Sequence, residues 1–190
     1  MKLVAFNGSP RKDGNTHIMI QHVFEVLETE GINCEEIIVG GQMVRGCTAC
    51  MKCITDLGQC AIKEDKVNEW IEKMKGADAI IMASPTYFAN ITSEMKALID
   101  RSGMVNHCGG NYLTRKVGAP IAVARRGGAI QVYNTLMAFF GISEMIVPMS
   151  SYWNMGYGLA KADINTDDKA ISTMKTLGAN IAYVLKALHK

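Results

Sequence analysis

Cys47, Cys50, Cys53 and Cys60 crowd one short stretch of a 190-residue chain that has six cysteines in all. Three thiolates at i, i+3 and i+6 can converge on one centre from a tight coil, and a fourth can close the site after a short loop. Sets of four such ligands hold [4Fe–4S] clusters or zinc, and the same residues can serve as redox-active thiols. The repeated two-residue gaps are closer to an iron–sulfur pattern than to paired zinc knuckles, which separate two Cys-x2-Cys pairs by a longer span. No second set exists, so all four would serve one centre. Cys34, in an apolar run, and Cys108, in a Gly-flanked stretch, read as inert.

A second constellation is Gly8-Ser9-Pro10-Arg11-Lys12-Asp13-Gly14-Asn15-Thr16. Set before a helix, it would offer free backbone N–H groups and a partial positive charge to an anion. Ser9 and Thr16 add hydroxyls, Arg11 adds a fork suited to phosphate oxygens, and Asn15 stands where a Walker-type loop has lysine. The spacing is not the GxGxxG of a dinucleotide site either, so a terminal monophosphate is the better ligand. Ser84-Pro85-Thr86-Tyr87-Phe88-Ala89-Asn90 supplies an aromatic pair and polar groups for a flat ligand with polar edges. A monophosphate at one end and an aromatic edge at the other fit flavin mononucleotide, FMN.

Positioning these loops falls to five apolar runs, at 2–7, 34–39, 77–84, 117–124 and 145–149, which read as strands. The first four show little period-2 alternation, as expected for strands buried on both faces. Helical patterns near 16–30, 66–75, 93–103, 128–140 and 166–189 alternate with them. The order βαβαβαβαβα implies an α/β fold: a doubly wound three-layer sandwich, its five-stranded parallel sheet carrying helices on both faces. In such sheets ligands bind beyond the carboxyl ends of the strands. The phosphate loop, the cysteines, 85–92 and 125–128 all fall there.

Composition narrows the function classes. Lys and Arg number 20 against 18 Asp and Glu, with neither sign in long runs, so neither nucleic acid nor an anionic membrane is the expected main partner. Met1–Phe6 runs straight into Gly8-Ser9-Pro10 without a signal-peptide core, and no apolar stretch reaches the length of a membrane span. A cytoplasmic protein of one domain, 1–190, with a Cys-rich insertion at about 46–65, is expected.

Asn7-Gly8-Ser9-Pro10-Arg11 with Gly14-Asn15-Thr16, the four-cysteine loop, Ser84-Pro85-Thr86-Tyr87 followed by Met95-Lys96-Ala97-Leu98-Ile99-Asp100-Arg101, and Ser150-Ser151-Tyr152-Trp153-Asn154 resemble the iron–sulfur flavoprotein family. That family lies within the NADPH-dependent FMN reductase, flavodoxin-like superfamily. The resemblance covers at least residues 1–158, and only the cysteines specify the iron–sulfur branch. It implies a flavodoxin-like sheet of order 2-1-3-4-5, with FMN near a [4Fe–4S] cluster held by Cys47, Cys50, Cys53 and Cys60, often in a homodimer or homotetramer. Ser9, Arg11, Asn15 and Thr16 would hold the phosphate, and Pro85, Thr86, Tyr87, Phe88 and Asn90 would flank the ring. In the fourth loop Arg125, Gly127 and Gly128 keep the family's Arg-x-Gly-Gly core. Ala122-Val123-Ala124 replace the preceding glycines, and Ala129-Ile130 replace Gln-Glu.

The implied activity is electron transfer between FMN and the cluster, with NAD(P)H or ferredoxin as candidate redox partners and no side chain marked as a general acid or base. Competing readings are an NAD(P)H-dependent FMN or quinone reductase without a cluster, a pure electron carrier, and a zinc-stabilised binding module.

Overall fold

The computed structural model describes residues 1–189; Lys190, the end of the expected 1–190 domain, lies outside the described residues. Strands β1 (Lys2–Asn7), β3 (Ala79–Pro85) and β4 (Val117–Ala124) are buried along nearly their whole length. That burial is what continuous runs of Val, Ile and Ala predict for parallel strands covered on both faces. β2 (Asn33–Ile38) departs from this expectation. Its Cys34-Glu35-Glu36 segment is half-exposed because the strand lies at the sheet edge, where polar side chains can reach water.

All neighbouring strands pair in parallel, in the order β2-β1-β3-β4-β5. Helices α1 (Asn15–Thr29), α2 (Val67–Lys75), α3 (Ser93–Cys108), α4 (Ala129–Ile142) and α5 (Asp168–Leu188) fill the crossovers and the C-terminus. Successive strand residues point to opposite faces. Leu3, Ala5, Ile81 and Ile121 therefore pack with Met19, Val23, Leu177 and Ile181 of α1 and α5. Val4, Phe6, Ile80 and Met82 pack with Trp70, Met95, Leu98 and Phe140 of α2, α3 and α4. Each fully buried aliphatic side chain contributes roughly 1.5–3 kcal/mol. Two continuous cores of this kind fix the frame and leave the loops at the carboxyl edge to carry chemistry.

The fifth strand corrects the sequence reading. The predicted segment 145–149 makes only an isolated parallel bridge, Ile146 to Val117. Pro148 has no N–H to continue a ladder, so the chain leaves the sheet there. It returns as β5 (Met155–Tyr157), paired with Ala122–Ala124 at the functional end of β4. Tyr152 and Trp153 thus precede the fifth strand rather than follow it. Their rings meet edge-on at 4.9 Å between centroids and are largely exposed.

Candidate functional site

The phosphate loop is held from below by side chains rather than by a regular ladder. Asn7, wholly buried at the end of β1, accepts the Ser9 N–H at 2.8 Å and donates to Glu36 Oε1 at 2.8 Å. Glu36 is fixed in turn by Gln21 Nε2 at 3.0 Å and by pairing with His17 Nδ1 at 2.6 Å. On the other side, Thr92 Oγ1 donates to the Gly8 carbonyl at 3.0 Å, while its N–H reaches Ser84 Oγ at 3.1 Å. Gly40 lies so close beneath that a Cβ there would stand 2.3 Å from the Ser9 carbonyl carbon.

Above this support, α1 begins at a Gly14 N-cap with no side-chain cap and no acidic residue in its first turn. Ordinary helices fill that position with an oxygen. Here the first-turn N–H groups are offered to a ligand, and Ser9, Asn15 and Thr16 are polar side chains buried around them. Arg11 lays its guanidinium on the Leu159 carbonyl at 2.9 Å.

One cavity of about 150 Å³ collects Ser9, Arg11, Asn15, Thr16, Pro85, Thr86, Tyr87 and Arg125, eight of the residues expected to bind the cofactor. Pockets for drug-sized ligands run to roughly 300–1,000 Å³, so this one has room for the phosphate end of a mononucleotide rather than for a whole one. Thr86 is set by its N–H and Oγ1, both donating to the Val123 carbonyl, at 2.7 and 2.9 Å.

Four expected residues do not line this cavity. Asn90 spends its amide oxygen on Ile91 N–H and on Thr135 Oγ1. Gly127 lies in the exposed bend before α4, and Gly128 packs on Thr86 and Ala89 at the start of that helix. Phe88 points fully into solvent, at 107% relative exposure. Tyr87 and Asn90 exchange backbone hydrogen bonds across Phe88 and Ala89, which both adopt positive φ, +45° and +65°. Two-residue turns of this hand favour Gly, Asn and Asp. An aromatic side chain held there is strain of a kind that gathers at functional sites.

The cavity wall also includes Gly158 and Leu159, which sequence reasoning missed. Their signal was the pair of glycines around Tyr157. A Cβ at Gly158 would meet Asn15 Nδ2 at 2.6 Å, so the chain after β5 can close over α1 only without a side chain.

The four cysteines converge. Cys47, Cys50, Cys53 and Cys60 all line one pocket, with Arg101, Met104 and Val105 of α3 as its floor. Cys47 and Cys50 are exposed; Cys53 and Cys60 are buried. Cys47 Sγ accepts the Ala49 N–H at 3.4 Å, and Cys60 Sγ accepts Arg101 Nε–H at 3.2 Å. The Lys52 backbone N–H draws the Cys50 thiol below its ordinary pKa. Burial, then the neighbouring Cys108 thiol, pushes Cys53 up. Burial pushes Cys34 up to about 12, in keeping with an inert thiol. The Cys108 thiol stands beside Cys53.

Among the described residues no three His, Cys, Asp or Glu stand close enough to hold a single metal ion. A cubane binds each thiolate through a different iron, so its ligands spread wider than those of one tetrahedral ion. Four convergent thiols with N–H···S donors suit that wider group. The pocket they line measures about 20 Å³ and is bordered on its outer side by the exposed Cys47 and Cys50.

Comparison with known proteins places the chain in a family. The family model for NADPH-dependent FMN reductase matches residues 1–160. An iron–sulfur flavoprotein of Methanocaldococcus jannaschii is 36% identical, with all of both chains covered. One from Methanosarcina thermophila is 35% identical over 100% of this chain and 98% of its own. In fold, a WrbA-like flavodoxin from Agrobacterium tumefaciens superposes with a TM-score of 0.67 at 19% identity, covering 100% of this chain and 98% of that one.

Proposed function

The chain belongs to the iron–sulfur flavoprotein branch of the NADPH-dependent FMN reductase family, and from that premise we propose that it passes electrons between FMN and a [4Fe–4S] cluster. The observation that carries this reading is the convergence of two independent motifs, one on the cavity at the head of α1 and the other on the pocket floored by α3. Bound FMN supplies both one- and two-electron chemistry, and a cluster supplies single-electron transfer.

The chain's own residues bind and orient. The uncapped first turn of α1 neutralises a phosphate with its N–H groups and dipole, Ser9 and Thr16 add hydroxyls, and Arg11 adds charge at the rim. The backbone N–H groups of Phe88 and Ala89 and the Tyr87 and Phe88 rings would meet a flavin. Cys47, Cys50, Cys53 and Cys60 would ligate the cluster as thiolates, and Ala49 and Arg101 hold two of those sulfurs. No proton transfer to or from a side chain is required.

NAD(P)H or a ferredoxin would supply or accept electrons. The exposed Tyr152–Trp153 pair would contribute to the contact of a homodimer or homotetramer. No helix among the described residues is long and apolar enough to cross a membrane.

The test is an ultraviolet–visible spectrum of protein purified without oxygen. Flavin bands on a broad brown absorption that dithionite bleaches are expected. Flavin bands alone, without iron, would move the assignment to the simple reductase, and a colourless protein that takes up no FMN would overturn it. Cys50→Ala should abolish the brown absorption and leave the flavin bands; loss of both would count against separate sites.

A further inference from the structure

Arg101 is the largest side chain wholly inside the protein, at 1% exposure, on a face of α3 otherwise built from Met95, Leu98 and Val105. A buried guanidinium persists only where its donors are matched. One terminal nitrogen donates to Asp65 and to the Arg45 carbonyl at 3.1 Å, and the other donates to the Ile62 carbonyl at 2.9 Å. Those three bonds tie together both ends of the cysteine loop and account for a structural role.

A fourth donor, Nε–H, is aimed at Cys60 Sγ. Tying the loop does not need this bond, and a neutral thiol is a weak acceptor. A thiolate is a strong one. The Cys60 backbone is held separately: its N–H donates to Asn68 Oδ1 at 2.7 Å, and Asn68 Nδ2 donates to its carbonyl at 2.9 Å. The main chain and the sulfur therefore have different anchors.

We propose that Arg101 is a positioning residue that seats the Cys60 sulfur for the cluster, and that its N–H···S bond raises the cluster's reduction potential. The inference rests on the four-thiol reading above. Hydrogen bonds to ligand sulfurs and nearby charge are among the levers that set such potentials.

Two variants keep the test clear of misfolding. Arg101→Lys retains the charge without the fork, and the double variant Arg101→Gln with Asp65→Asn removes both charges together, leaving neither buried alone. Asn68→Ala is the control, since it frees the Cys60 backbone but not the sulfur. After anaerobic reconstitution with iron and sulfide, the midpoint potential is read by electron paramagnetic resonance, with iron and FMN per chain measured alongside.

The double variant should keep its FMN and show a more negative potential, with Arg101→Lys between it and the wild type. Asn68→Ala should lose iron without shifting the potential of what remains. Equal potentials in the wild type and the double variant, or an equal shift in Asn68→Ala, would reduce Arg101 to a purely structural role.

If the wild type takes up no iron, the cluster reading fails on its own, and the seat is then judged in the metal-free protein by mass spectrometry of alkylated cysteines. Cys60 should react about tenfold faster in the double variant than in the wild type, with Cys47 unchanged. Equal Cys60 rates would overturn the seat itself.

Discussion

The two loops that carry the chemistry are built on opposite plans. The phosphate loop is complete before any ligand arrives: Asn7, Thr92 and Ser84 satisfy its backbone from a buried position, and the helix supplies the binding groups. The cysteine loop is held at its two ends through Arg101, Asp65 and Asn68, and in its middle by Lys75 Nζ on the Gly58 carbonyl, while Cys47 and Cys50 stay exposed. The exposed stretch also holds Ala49 and Met51 at φ of +51° and +58°. A site made of backbone N–H groups can be preformed because those groups belong to a helix that folds anyway. A site made of four thiolates would carry strong mutual repulsion without its ligand, and here two of the four, Cys47 and Cys50, face solvent.

The largest effect expected from this contrast is at the anchor. Asp65→Asn alone would leave Arg101 charged and unpaired beside a side chain only 6% exposed in the wild type. Breaking a buried pair by removing one partner costs roughly 3–5 kcal/mol. At roughly 2–4 °C per kcal/mol for a domain of this size, Tm should fall by about ten degrees or more. Burial alone would raise the Asp65 pKa, but the Arg101 guanidinium and the Arg45 and Val67 N–H groups outweigh it and hold the carboxyl below its usual range. A depressed folded-state pKa gives stability that is present above the unfolded value, about 3.9, and is lost as pH falls through the folded one. The wild type should therefore lose more stability on acidification than Asp65→Asn does, as followed by thermal melts below pH 5. Parallel acid limbs would mean that the anchor is not this pair.

Gly40→Ala strikes the other loop. Its new Cβ would fall on Ser9, Gly8 and Pro10 backbone atoms, which cannot swing aside. Overpacking of this kind costs about 1–3 kcal/mol, and the displacement falls on the phosphate site. FMN affinity, read by quenching of flavin fluorescence, should drop by about tenfold or more, with iron per chain unchanged. Loss of iron as well would show that the two loops are not independent.

The frame and the separation of the loops were legible in the sequence because both rest on local signals. Unbroken apolar runs mark strands covered on both faces, and Gly, Ser, Thr and Arg before a helix mark an anion site. The fifth strand was misplaced because 145–149 has the composition of a strand, while what decides pairing is the missing N–H of Pro148 and the β4 edge still open at Ala122–Ala124. Arg101 was visible only as part of a motif. Its role depends on Asp65 and Cys60, brought to it from across the fold, and no spacing along the chain records that. Gly158 was missed for the same reason, since its neighbour Asn15 is remote in sequence.

Phe88→Gly sharpens the comparison from the strained side. Relieving a positive φ is worth roughly 1–2 kcal/mol, partly offset by the glycine's greater unfolded-state entropy. Tm should rise by a few degrees at most, while FMN binds more weakly for want of the aromatic face. A rise in Tm with unchanged FMN affinity would make the exposed ring irrelevant to the flavin.

The smallest effect belongs to charge on the rim. Lys96 and Asp100 pair at 2.5 Å on the outer surface of α3, both half-exposed, Asp100 immediately preceding the buried Arg101. An exposed i,i+4 pair contributes about 0.3–0.5 kcal/mol, weakened further by salt. Asp100→Asn should therefore move Tm by no more than about two degrees at low ionic strength, and by less in high salt. Its neighbour in sequence, Arg101, is expected to matter far more, because a charge removed from water has no solvent to replace a lost partner. If Asp100→Asn were as damaging as Asp65→Asn, burial would not be what separates the two acids, and the account of the anchor would have to be rebuilt from the outer face of α3.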